Sequence, residues 1–79
     1  MQIEAERDRL FKIMQYICKL KIEHPENLKV WFQLERSLIQ ANKLKNVKEI
    51  HSVNESVTSC INEFLTNLPR EELWNHKGL

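Results

Sequence analysis

Leu20-Lys21-Ile22-Glu23-His24-Pro25-Glu26-Asn27-Leu28-Lys29-Val30-Trp31, residues 20–31, holds the first break in an otherwise helix-patterned chain of 79 residues. The residue before a proline is pushed out of the helical region, and the proline ring cannot extend a helix from behind. Pro25 can open a new helix at its first position, and Asn27 can cap one. So short a turn returns the chain alongside itself, which predicts two antiparallel helices.

Upstream of the break, Leu10, Ile13, Ile17 and Leu20 recur at 3-4-3 spacing. Phe11, Met14 and Cys18 form a second row beside them, and Asp8, Lys12, Gln15, Lys19 and Glu23 fall on the opposite side. That is one amphipathic helix over about 3–22 with a wide apolar stripe. Acids in its first turns and lysines in its last suit the helix dipole. Downstream, Val30, Trp31, Leu34, Leu38 and Ala41 give the core face of a second helix. It spans about 26–43 and starts at Pro25 or at Leu28.

Further along, Asn46-Val47-Lys48-Glu49 and Ser52-Val53-Asn54-Glu55 both match a helix-capping pattern. The first is favoured. From it, Val47, Ile50, Asn54, Val57, Ile61, Phe64 and Leu68 keep 3-4-3-4-3-4 spacing, predicting a third helix over about 47–68. Asn54 stands alone in that seam, either as a residue that fixes register or as an ordinary surface Asn. Pro69 ends the helix. Acids, then a base, then Gly78 punctuate a short fourth helix at about 70–77, with Leu73 and Trp74 folding back on the bundle. The expected fold is all-α: a three-helix antiparallel bundle with a short C-terminal helix, one domain over 1–79.

Tyr16 to Leu38, with His24-Pro25-Glu26-Asn27, Trp31, Leu34 and Leu38, resembles the junction between two tetratricopeptide repeats. The resemblance covers about a third of the chain and implies a helix hairpin. The next proline, Pro69, follows Pro25 by 44 residues, against a family period of about 34. The small residues that let adjacent repeats pack closely are also missing. The likeness is therefore one of hairpin chemistry rather than of a repeat array.

Composition excludes whole classes of function. A single glycine, Gly78, leaves no phosphate-cradling loop and no nucleophile elbow. No run approaches the roughly 18 apolar residues of a membrane span, and the acidic, mixed N-terminus does not read as a secretion signal. A cytoplasmic protein is expected. Cys18 and Cys60 are then read as two reduced, buried thiols. His24, His51 and His76 are scattered singly, so neither a metal nor a cofactor is expected. The acids are read as solvated or helix-starting, so no enzyme is expected.

What remains is binding. Twelve Lys and Arg against eleven Asp and Glu make the chain nearly neutral, yet Lys29–Lys48 carries five bases and one acid, Glu35. Lys29, Arg36 and Lys43 stack at seven-residue spacing as a possible anion or phosphate contact. Leu28, Trp31, Phe32 and Ile39, with Leu73 and Trp74, exceed what so small a core absorbs and form the expected protein-binding set. The expectation is a small protein-binding regulator, inhibitor or adaptor using an apolar helical face, self-associating as a homodimer. The alternative is a nucleic-acid-associated regulator using the basic stripe.

Overall fold

The computed structural model describes residues 2–68. The expected helix at 70–77, with Leu73 and Trp74, lies outside the described residues. Three α-helices follow in order: α1 (Ile3–Glu23), α2 (Leu28–Asn42) and α3 (Val47–Thr66). The break at Pro25 resolves the choice of start for the second helix. Pro25–Asn27 is a single 3₁₀ turn, closed by Asn27 N–H donating to the His24 carbonyl at 3.2 Å, and α2 proper begins at Leu28. α3 starts where the first capping pattern placed it. The Asn46 side chain accepts from Lys48 N at 2.9 Å and Glu49 N at 3.3 Å, a cap that is typically worth ~1 kcal/mol.

All three helices pack against one another around one core. α1 supplies Leu10, Ile17 and Leu20; α2 supplies Trp31, Leu38 and Ala41; α3 supplies Ile50, Val57, Ile61 and Leu65. Of the expected stripes, Ile13, Leu34, Phe64 and Leu68 are partly buried against this core and Val47 is half-buried, while Val30, expected inside, is exposed and Leu65 is buried beside the seam. Trp31 fills the largest space. It is 0% exposed, its Nε1 donates to the His24 carbonyl at 2.9 Å, and its ring meets Phe64 edge-on at 4.8 Å. His24 meets the same Phe64 ring at 5.1 Å. The chain break, α2 and the end of α3 are thereby locked together.

At the other end a polar node replaces apolar packing. Asn54 is buried completely, and its Nδ2 donates to the Glu6 backbone carbonyl at 2.9 Å and to Glu6 Oε1 at 3.1 Å. Glu6 Oε2 accepts from His51 Nδ1 at 3.1 Å, and Arg9 bridges α1 to Glu55 at 3.0 Å. Asn54 is thus buried rather than a surface residue, and its hydrogen bonds run within the chain between α1 and α3. Glu6 corrects the reading of the acids as solvated: it is buried, because α3 brings two donors to it. Asn54 Oδ1 has no partner, so the node is one donor short of full satisfaction.

The Asn54 and His51 hydrogen bonds hold the Glu6 carboxyl below its ordinary value of 4.5, against the opposing effect of burial. A carboxyl whose folded pKa is depressed adds stability above its unfolded pKa and loses it as pH falls through the folded one. The melting temperature should therefore fall as pH drops below about 4.5. Glu6→Gln, melted at the same pH values, should show a shallower fall over that window. An equally steep fall would place the acid sensitivity elsewhere.

Candidate functional site

The candidate site lies on the outward face of α2. Trp31 and Phe32 are adjacent, so they point about 100° apart, and the core takes Trp31. This corrects the inclusion of Trp31 among the exposed residues of the binding set: it is buried and hydrogen-bonded. Phe32 is left 53% exposed, Ile39 49% and Leu28 38%. Spacings of four and seven put these three on one flank of α2, the flank turned toward α1.

The Phe32 ring is held from below. Lys21 Nζ, from α1, lies 5.2 Å from the Phe32 ring centroid. The same ammonium pairs with Glu35 at 2.9 Å to Oε2 and 3.1 Å to Oε1. Its contact with Glu35 raises the Lys21 pKa, so it stays a cation at neutral pH. Cys18 Sγ donates to Glu35 Oε2 at 3.8 Å. Glu35, the lone acid of the basic segment, is therefore the organiser of this surface, and sequence reasoning assigned it no role. The available signal was its isolation among five bases, on a helix that returns antiparallel past Lys21.

Lys29, Arg36 and Lys43 are exposed on the ridge beside this flank. The structure brings the apolar flank and the basic stripe into one surface. A shallow open hollow of about 700 Å³ is lined by Phe32, Glu35, Arg36, Ile39, Gln40 and Lys43. A smaller one, about 200 Å³, lies between Lys29, Phe32, Gln33 and Arg36. Phe32 and Arg36 belong to both. A concave, enclosed chamber of the kind that excludes water from a reacting group is not what these hollows offer.

On α1, Phe11 and Ile22 are also exposed, and so is Cys18. Both cysteines are free thiols. The exposure of Cys18 corrects its reading as a buried thiol: in the second apolar row of α1, Phe11 and Cys18 face solvent while Met14 packs against the core. Among the described residues there is no group of three or more His, Cys, Asp or Glu that could hold a metal ion. No helix among them is long and apolar enough to cross a membrane. The chain matches no protein-family model, no curated protein and no solved structure.

Proposed function

We propose that the protein is a small non-catalytic binding module, a regulator, inhibitor or adaptor, that captures a protein partner on the α2 flank Leu28–Phe32–Ile39. One observation carries this reading: Phe32 is half exposed yet held by the Lys21 cation and the Lys21–Glu35 pair. Contiguous exposed apolar surface on a small chain marks an interaction site. A pre-positioned aromatic in a polar setting is the composition of an interface anchor, since less side-chain freedom is lost on binding.

The nucleic-acid reading draws on Lys29, Arg36 and Lys43. The chain's near neutrality weighs against it, because counterion release needs many phosphate contacts. Replacing Phe32 by a photoreactive phenylalanine analogue, and Asn62 on α3 by the same analogue as control, tests the reading in cells of the native host. Covalent capture of one protein species from position 32 and not from 62 is the expected outcome. Equal labelling from both positions, or capture of nucleic acid alone, would refute it.

A further inference from the structure

Leu28, Phe32, Glu35 and Ile39 follow one another along α2 at 4-3-4 spacing. That is the spacing of a coiled-coil seam, with Phe32 and Ile39 at heptad position a and Leu28 and Glu35 at d. Leu28, Phe32 and Ile39 are exposed along it. Counted the same way, Lys29, Arg36 and Lys43 are three successive e positions. On the other side of the seam, Trp31 and Leu38 at g are buried in the bundle's own core. The seam is thus bordered by cations on one side alone.

The polar residue within the seam is already neutralised. Glu35, the one acid between Lys29 and Lys48, is paired with Lys21 of α1 at 2.9 Å. Lys29, Arg36 and Lys43 form no ion pair among the described residues. They line the two hollows that Phe32 also lines. Lys45 and Lys48 are likewise outside the ion pairs, but they lie beyond the end of α2 and line neither hollow. The uncompensated charge of this face therefore adjoins its apolar row.

We propose, resting on the reading of Leu28–Phe32–Ile39 as the working surface, that the partner segment captured there is an amphipathic α-helix with a row of acids at seven-residue spacing. Its apolar stripe lies on the a/d seam of α2. Its acids face Lys29, Arg36 and Lys43, whose ends are fourteen residues apart, or about 21 Å along either helix. Two helices lying side by side repeat together every seven residues, so one acid per heptad meets one cation per heptad. Phosphates follow at about 3.4 Å of rise per strand, and Leu28 and Ile39 offer no ring on which a base can stack. A second copy of α2 laid antiparallel on the same seam would set base over base. The apolar seam holds the helix, while the cations steer its approach and select it over a basic one.

Two synthetic peptides of three heptads test the proposal against the full chain. Both carry Leu at a and d. One has Glu at every e and g position and the other has Lys, so like charges keep each peptide from pairing with itself. Fluorescence anisotropy at about 0.05 M salt should show the Glu peptide binding about tenfold tighter than the Lys peptide or more, with the preference shrinking at about 0.5 M. One exposed ion pair shifts affinity by about threefold, so K29E/R36E/K43E should weaken the Glu peptide by about 25-fold and reverse the preference. Phe32→Ala should weaken both peptides by the same factor, and circular dichroism confirms that each variant stays helical. Equal affinities for the two peptides, or a preference that K29E/R36E/K43E leaves in place, would overturn this inference alone if the Phe32 dependence holds. A single strand of about twenty nucleotides that binds tighter than the Glu peptide would overturn it in favour of nucleic acid. A wild-type dimer broken by Phe32→Ala would overturn it in favour of a second copy. Peptide affinities indifferent to Phe32→Ala would overturn the flank reading and this inference with it.

Discussion

Trp31→Ala should leave the chain largely unfolded at 25 °C. Trp31 is 0% exposed, and truncating a buried Trp or Phe to Ala costs about 3–5 kcal/mol in transfer and cavity terms. The substitution also removes the donor to the His24 carbonyl, at 2.9 Å, and the edge-on contact with Phe64 at 4.8 Å. A domain this small buries only about 60% of its unfolded surface, and its stability lies at the low end of the usual 5–15 kcal/mol. The loss is thus comparable with the whole margin. Trp31→Phe keeps most of the ring volume and loses the indole donor, so it should fold with a lowered melting temperature. Chemical denaturation of both variants checks the ranking. A folded Trp31→Ala with near wild-type stability would show that the hairpin, α2 and α3 are not locked through this ring.

Asn54→Leu should cost about 2–3 kcal/mol, because it strips the Glu6 carboxylate of a donor in a buried place, and hydrogen bonds to charged groups are worth about 1.5–3 kcal/mol. Glu6→Leu should cost a similar amount by leaving Asn54 Nδ2 short of one acceptor. The double variant Glu6→Leu/Asn54→Leu removes donor and acceptor together. It should lie within about 1 kcal/mol of wild type, since replacing both partners by apolar groups is often near neutral. Strong non-additivity in that cycle is the signature of direct coupling. Additive losses would mean that the two residues act through separate contacts. If the node fixes register, the double variant should also show broader amide signals by NMR, despite its recovered stability.

The bundle was legible in the sequence because its signals are local. Pro25, Asn46 and the 3-4-3 rows each act within one or two turns, and α1, α2 and α3 begin within two residues of where those signals put them. The node at Glu6 was not legible. An acid near a helix start has a sufficient local explanation in the helix dipole, and only α3, some 45 residues later, supplies His51 and Asn54. The site was half legible for the same reason. Helix periodicity separates Phe32 from the core stripe only by about 100°, so sequence alone assigned both Trp31 and Phe32 to the binding set. The structure separates them: Trp31 is buried, hydrogen-bonded to the His24 carbonyl and edge-on to Phe64, and Phe32 is left half exposed. The basic stripe was fully visible, whereas its lack of ion pairs depends on what α1 and α3 place nearby.

In the proposed function α2 binds through the Phe32 flank and not through the basic ridge beside it. The direct test is isothermal titration of the species captured at position 32 with wild type, Phe32→Ala and Arg36→Glu. Surface changes of this kind alter stability by less than about 0.5 kcal/mol, so both variants should remain folded. Loss of an aromatic anchor is worth about 2 kcal/mol or more. Phe32→Ala should therefore weaken binding by at least about twentyfold, and Arg36→Glu by no more than about threefold. Loss of affinity on Arg36→Glu with Phe32→Ala unaffected would contradict the account and move the working surface to the Lys29–Arg36–Lys43 ridge.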